Sequence, residues 1–166
     1  MTNVALQPYL RSLLAGDRAR IEAITRATGV FRGDEVRIAL EVFDTSCTPG
    51  QTDYFTLGAE VGGRLAGWIC WGETPCTEGT WDLYWMAVDP TVQGSGIGSA
   101  LISAMENRLA RAARLIMIDT SGRGDYAATR AFYQARGYSI AAVIPDFYAP
   151  GDDQVIFAKP LEPTAA

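Results

Sequence analysis

From residue 17 to 28 (DRARIEAITRAT) and again from 33 to 44 (GDEVRIALEVFD), apolar residues return every three or four positions, a spacing that puts them on one helix face. Each stretch opens on Asp or Gly-Asp, and GVFRG separates them, so the pattern predicts a pair of amphipathic helices. The period then changes. DYFTLGAEV (53–61), RLAGWICWG (64–72) and TWDLYWMAV (80–88) are rich in aromatic and β-branched residues, and Gly62-Gly63 joins the first two as a hairpin signal. Together they predict an antiparallel meander.

Beyond Val88 a helix is expected over 97–113, with Ile97, Leu101, Met105 and Leu109 on its apolar face. RLIMIDTS (114–121) reads as a short buried strand, and YAATRAFYQARG (126–137) as a helix stopped by Gly137. YSIAAVI and DQVIFAKP make two last strands around the turn-rich PDFYAPGD. No repeat, low-complexity tract or linker divides the chain, so the element order predicts a single domain over residues 1–166 of the α+β (mixed α/β) class.

Composition narrows the chemistry. Of 166 residues, 48% are hydrophobic and 20% charged, the balance of a soluble globular protein. No apolar run approaches the roughly 18 to 20 residues of a membrane span. The first twenty residues lack a basic, apolar and small-residue leader pattern, so no membrane association and a cytoplasmic location are expected. The absence of histidine removes Ser-His-Asp and Cys-His catalysis together with the commonest metal ligand. Cys47, Cys70 and Cys76 show no CxxC spacing, which leaves neither a disulfide framework nor a zinc site, and no metal is expected. A net charge of −5, a pI of about 4.7 and no Lys/Arg stripe argue against nucleic acid as a partner.

The most informative stretch is VDPTVQGSGIGSALI (88–102). Gly94, Gly96 and Gly98 stand directly before a helix, whose N-terminus carries unsatisfied amides and the positive end of the macrodipole. Without Cβ atoms, and with positive φ open to them, they let backbone amides converge on a diphosphate, with Ser95 and Ser99 as hydroxyl donors. A plain connection needs fewer, since each glycine costs ~0.5–1 kcal/mol relative to Ala in regular structure. A GxxxxGK[ST] loop is excluded because no Lys-Ser or Lys-Thr follows. A dinucleotide-binding oxidoreductase is an alternative: GSGIGS is within one residue of GxGxxG/A, and Asp119 stands where a ribose-binding acid belongs. Against it, Asp89 to Gln93 separate the strand from the first glycine, and half the chain precedes the motif.

AVDPTVQGSGIGSALI resembles motif A of the GNAT N-acetyltransferase superfamily, through the Val-Asp-Pro step and Gln93, Gly96 and Gly98 as Q/R-x-x-G-x-G/A. YAATRAFYQARGY is similar to that family's motif B through Tyr133, Gly137 and Tyr138, with Tyr126 where the family often has Asn and Thr129 where it often has Ala. The resemblance implies the GNAT fold: a central, mostly antiparallel sheet of six to seven strands, splayed between strands four and five and flanked by about four helices. It implies acetyl-CoA as co-substrate, with a primary amine of a small molecule or peptide attacking the thioester directly. On that resemblance the pantetheine arm pairs with amides of Met86, Ala87 and Val88, the amide near Met86 also facing the oxyanion. The pyrophosphate rests on the amides of Gln93, Gly94, Ser95, Gly96, Ile97, Gly98 and Ser99. Tyr133 falls where the family places the acid that protonates the CoA thiolate, although helical spacing with Phe132 also suits a core aromatic.

Asp82, six residues before Val88, stands where histone-acetylating relatives carry a catalytic Glu; between Trp81 and Leu83, desolvation would raise its carboxyl toward the working range. A carboxylate held by neighbouring backbone, or deprotonation through water chains, are the alternatives. Glu73, Asp125 and Asp146 are weaker candidates for the base, each also readable as a solvated loop residue. No histidine stands near Cys70 or Cys76 to activate a covalent route. The acceptor side is expected at TGVFRGDE (28–35) and IPDFYAPGDD (144–153), where Asp146, Asp152 and Asp153 flank Phe147 and Tyr148 as a rim for a cationic amine or as a plain solvated turn. Late strands of this fold can pair between subunits, so a homodimer is the assembly to look for. A non-catalytic acyl-CoA-binding regulatory module is the rival from another class; the retained Tyr133 speaks against it.

Overall fold

The computed structural model describes residues 7–161, so the ends of the 1–166 reading, including the first six residues inspected for a leader, lie outside the described residues. Among the described residues no helix is long and apolar enough to cross a membrane. The chain divides into two compact units, Met1–Gly72 with Trp85–Leu109 and Glu73–Tyr84 with Ala110–Ala166.

The first unit contains β1 (Tyr9–Arg11), α1 (Arg18–Ala27), α2 (Gly33–Ser46), β2 (Phe55–Val61), β3 (Arg64–Glu73, as far as Gly72), the second half of β4 (Thr80–Val88) and α3 (Ile97–Leu109). Its strand order is β1-β2-β3-β4, with β1 and β3 antiparallel to β2. β1 has no counterpart in the pattern reading, because three residues show no period. Gly62 and Gly63 both take positive φ, 58° and 78°, as a two-residue hairpin loop requires. The helices form where the pattern places them. Ile21 and Ile24 of α1 and Val36, Ala39, Leu40 and Phe43 of α2 are buried, and Glu35 caps α2 by accepting the Arg32 N–H at 2.7 Å. Trp68 fixes their position: its ring meets Phe43 edge-on at 6.4 Å, and its Nε1 donates to Thr25 Oγ1 at 3.0 Å.

The second unit contains the first half of β4, β5 (Leu115–Ser121), α4 (Ala127–Gln134), β6 (Ser139–Ala149) and β7 (Asp152–Pro160), with strand order β4-β5-β7-β6. Among the described residues the seven strands and four helices match the α+β architecture that the resemblance implies, and β4, counted in both units, is parallel to β5. That parallel ladder joins Thr80–Leu83 to Leu115–Ile118 and ends there, which is the splay. β7 is antiparallel to both β5 and β6.

Three boundaries differ from the pattern. The helix expected to reach residue 113 stops at Leu109, because the Arg114 and Leu115 amides both turn to the Gly79 carbonyl, at 2.7 and 3.2 Å, and draw the chain into β5. The helix expected over 126–137 is regular only from Ala127 to Gln134, after a 3₁₀ turn at Gly124–Tyr126. Gly137 (φ 83°) closes it as expected: Gly137 N–H donates to Gln134 O and Tyr138 N–H to Tyr133 O, the paired bonds of a Schellman cap. The turn expected over PDFYAPGD shrinks to Pro150-Gly151. Between the pairs Ile144↔Gln154 and Ala149↔Asp152, residues 145–148 bulge opposite Asp153 alone. Carboxylates close the bulge: Asp153 Oδ1 accepts the Asp146 N–H at 2.9 Å, and Asp146 Oδ1 accepts the Gly151 N–H at 2.7 Å.

Candidate functional site

In the first unit, β4 runs into the glycine turn and then α3. Asp89 ends the strand and anchors the turn: its N–H donates to Ala66 O at 2.8 Å, and its Oδ1 accepts from Thr91 N–H and Oγ1 at 2.9 and 2.7 Å. Arg20 of α1 donates through Nη2 to Asp89 Oδ2 and through Nε to Leu65 O at 2.9 Å. The Thr91 bonds, then the Arg20 guanidinium, hold the Asp89 carboxyl down at about 2. The pattern did not single out Arg20; an arginine on an amphipathic helix carries no mark of a partner 69 positions away.

Gly94 (φ 78°) and Gly96 (φ 92°) take the left-handed backbone expected of them, and a Cβ at either would meet nothing within 4 Å. These two glycines therefore serve backbone direction, and the space over them is open. Gly67 is the contrast. There a Cβ would sit 3.1 Å from Ile97 Cγ2 and 3.2 Å from Ala87 O, so Gly67 lets α3 approach β3. Gly98 departs from expectation: it is buried inside the first turn of α3 with no positive φ, so it does not bend the loop. Ala100 N–H closes onto Gly96 O at 3.0 Å, and the amides before it are those that helix geometry leaves without an acceptor inside the helix. Ser95 is not available as a hydroxyl donor in the way expected, because its Oγ donates to Val92 O. Gln93 is exposed, its Nε2 3.3 Å from Val88 O. Ile97 packs into the core, leaving its backbone for the turn. Met86 and Val88 are half-buried and Ala87 buried, beyond the point where the β5 ladder stops.

In the second unit, strand alternation sorts the titratable groups onto two faces. Leu83, Ile118, Thr120, Val155 and Phe157 share one face and are buried. Tyr133 of α4 lies on that side, its ring 6.1 Å from Phe157, 5.4 Å from Phe132 and 6.0 Å from Tyr138. Burial pushes the Tyr133 phenol well above its ordinary value, with Tyr126 adding to the rise and Arg136 opposing it. The phenol is thus protonated throughout the working pH range. On the other face stand Asp82, paired across the ladder with Met117, and Asp119, two residues further along β5. Thr74 Oγ1 donates to Asp82 Oδ2, so the partner of Asp82 is a side chain rather than the neighbouring backbone. Buried Gln154 donates through Nε2 to Asp119 Oδ2 at 2.9 Å. Loss of solvent, and then the Asp82 charge, push the Asp119 carboxyl up, although much of the residue stays accessible.

The acceptor rim is rearranged. Asp152 is buried, accepting from Ser121 Oγ and facing Arg123 Nη1 at 3.7 Å, so it is no rim carboxylate; Asp153 accepts the Asp146 N–H and Asp146 the Gly151 N–H, which closes the β6 bulge. Phe147 is 53% exposed and meets Tyr148 edge-on, leaving the aromatic pair at the surface without the acidic frame expected around it. Residues 28–32 connect α1 to α2 and 33–35 form the first turn of α2, each exposed or half-buried. Glu73 and Asp125 are exposed, but neither stands in a plain loop: Glu73 ends β3, and Asp125 lies in the 3₁₀ turn, 3.1 Å from Arg123 Nε. Cys70 is buried, which pushes its thiol up to about 12 and makes it inert.

The sequence model of the acetyltransferase (GNAT) domain matches residues 52–140. An uncharacterised N-acetyltransferase of Methanocaldococcus jannaschii is 30% identical over 105 residues, covering 61% of this chain, and the match spans 63% of that relative's length. A GNAT-family crystal structure from Desulfovibrio desulfuricans superposes with a TM-score of 0.89 at 36% identity, over 94% of this chain and all of that one. A structure from Salmonella typhimurium that holds acetyl-CoA superposes with a TM-score of 0.74 at 20% identity, over 96% and 97% of the two chains, a likeness of fold.

Proposed function

The chain belongs to the GNAT acetyltransferases, and from that premise we propose that it moves an acetyl group from acetyl-CoA to a primary amine by direct attack in a ternary complex. The observation that carries this reading is the pair Gly94 and Gly96, held at positive φ with open space where side chains would stand, directly before α3. That arrangement suits a diphosphate on backbone donors. The amides from Gln93 to Ser99 hold the pyrophosphate, and those of Met86, Ala87 and Val88 pair with the pantetheine arm as an added strand would. Tyr133, kept protonated, gives its phenolic proton to the departing CoA thiolate. Asp82 supplies a carboxylate on the opposite face, where the amine arrives. Residues 1–166 act as one catalytic domain without a metal.

The acceptor is a small-molecule or peptide amine rather than a nucleic acid, in keeping with a net charge of −5. A cytoplasmic site of action fits three cysteines that are all free. Two copies pair along β6, supported by its exposure over nearly its whole length with Ile140, Val143, Ile144 and Phe147 open to solvent. Sedimentation equilibrium tests that pairing.

Calorimetry with acetyl-CoA, followed by CoA release measured with a thiol reagent across peptides, polyamines and simple alkylamines, tests the activity. Heat of binding with amine-dependent release is the expected result. Binding without release would favour the regulatory module, and a thermal shift with NAD rather than acetyl-CoA would favour the oxidoreductase.

A further inference from the structure

Two tryptophans of the first unit differ in one atom's surroundings. Trp68 donates through Nε1 to Thr25 Oγ1 at 3.0 Å, so its polar atom is satisfied inside the core. Trp85 is half-buried, yet its Nε1 is closed off from solvent and meets no acceptor among the described residues. A buried N–H without a partner has lost its water and gained no bond, an arrangement folded proteins seldom keep unless something else brings the acceptor. An indole nitrogen only donates, so that acceptor is a lone pair and never an ammonium ion. Position along β4 narrows the choice. Trp85 immediately precedes Met86, Ala87 and Val88, whose amides the acetyl-transfer reading gives to the pantetheine arm, and it lies on their side away from the glycine turn. At ~3.3 Å per residue Trp85 and Val88 stand about 10 Å apart, and on the same reading the phosphates rest beyond Val88. The acyl end of the ligand, with its thioester carbonyl, falls at Trp85.

We propose that the Trp85 indole N–H donates to the carbonyl oxygen of the acyl thioester, and that this side chain is a catalytic donor to the oxyanion, beside the main-chain amide near Met86. The inference rests on the acetyl-transfer reading and deepens it. When the amine nitrogen bonds to the thioester carbon, the π pair of C=O moves onto oxygen, and the charge there grows. A donor already in place and already stripped of water gains strength with that charge and needs no rearrangement to meet it. The pair then returns to re-form C=O as the C–S bond breaks. Over the whole transfer the nitrogen gives up one proton and the thiolate receives one, so atoms and charge balance. Trp85 moves no proton, and its own N–H bond stays whole. The role suits an indole, which has no lone pair in the ring plane to turn toward the oxygen in place of its hydrogen.

The test uses the full chain, isotope-labelled for nuclear magnetic resonance, and three ligands: CoA, acetyl-CoA and S-ethyl-CoA, a thioether of similar shape in which CH2 replaces the carbonyl. The Trp85 indole resonance, assigned through its own backbone so that no variant is needed, should move downfield and gain protection from solvent exchange with acetyl-CoA. With CoA and S-ethyl-CoA it should move clearly less. In turnover with ethylamine, Trp85→Phe, which keeps an aromatic ring and deletes the donor, should lower kcat by about 100-fold, the effect of one lost oxyanion donor. Its Kd for acetyl-CoA should rise by no more than about tenfold, the reach of one neutral hydrogen bond, and its Kd for S-ethyl-CoA should match the parent's. A melting curve separates these changes from a folding loss, and if the variant does not fold, the parent's resonance decides alone. A resonance that no ligand moves, or that all three move alike, would overturn the Trp85 donor while leaving acetyl transfer in place, as would an unchanged kcat in Trp85→Phe. A parent protein that gives no heat with acetyl-CoA would overturn both.

Discussion

Asp89, just beyond β4, and Asp119, inside β5 one residue past the last rung of its ladder with β4, are both carboxylates, and their surroundings treat them in opposite ways. Asp89 receives two bonds from Thr91 and one from Arg20, so its charge is locked in and its geometry with it. Asp119 receives one amide bond from Gln154 and faces a second negative charge, so its charged form is held at a cost. A carboxylate ringed by donors keeps its charge firmly; one with a single neutral donor beside a second carboxylate gives it up more readily. On the proposed reading the turn is a binding region whose faults should appear in affinity and stability, and α4 with the ladder end a chemical region whose faults should appear in rate.

The largest effect expected from that contrast is at Gly96. Gly96→Val places a branched side chain in the open space over the turn, at a φ of 92° that L-residues avoid. Acetyl-CoA affinity measured by calorimetry should fall about 100-fold or more, whereas the fold should lose only the ~1–2 kcal/mol of a left-handed L-residue. If binding survives and the melting temperature alone moves, the turn is not a binding region.

Next comes Tyr133→Phe, which keeps the ring contacts with Phe132, Tyr138 and Phe157 and deletes one hydroxyl. The value of kcat should fall roughly 10- to 100-fold, at the lower edge of acid catalysis because water can substitute in part. Acetyl-CoA Kd should change by no more than about twofold, since a phenol acting on the leaving thiolate is used in the transition state rather than in the bound ground state. Equal losses in both quantities would make Tyr133 a packing residue of α4 and nothing more.

How far each region could be read from the chain follows from the range of the forces that make it. The glycine turn is local: Gly94 and Gly96 lie within the segment they bend, and Ile97, Leu101, Met105 and Leu109 announce the helix that follows by their spacing. The helix pair and the hairpin at Gly62-Gly63 were legible for the same reason. Gly98 was misread, because alternation in sequence does not say which glycines precede a helix and which lie inside it. The β6 bulge escaped because the Asp153 carboxylate accepts the N–H of Asp146, seven positions earlier, and a list of turn formers cannot show a carboxylate accepting across a strand pair. Asp119 carried a signal, a single charge in the apolar run LIMIDTS, but its meaning depends on Asp82, 37 positions earlier, and on Gln154, 35 positions later. Arg20 and Asp89 form the same kind of long-range pair.

The smallest effect separates the two carboxylates by pH. The Asp89 carboxyl is depressed to about 2 from an unfolded value of 3.8, so the folded protein holds its charge where the unfolded chain would protonate. Stability from this group is therefore complete above the unfolded value and is lost as pH falls through the range from about 5 to 2. Its size is roughly 1–2 kcal/mol, below the full conversion of the shift because the Arg20 side chain keeps some contact with water. Asp119 has the opposite sign: its raised carboxyl favours the folded state in acid, and that contribution fades as pH rises through the folded value. Denaturant unfolding of Arg20→Ala and Asp89→Asn, measured at pH 7 and again at pH 3, should show each variant less stable than the parent at pH 7 and the gap smaller at pH 3. A gap that stays constant with pH would mean that Arg20 stabilises the turn through its bond to Leu65 O and its packing, and that the charge on Asp89 contributes little to holding the glycine turn in place.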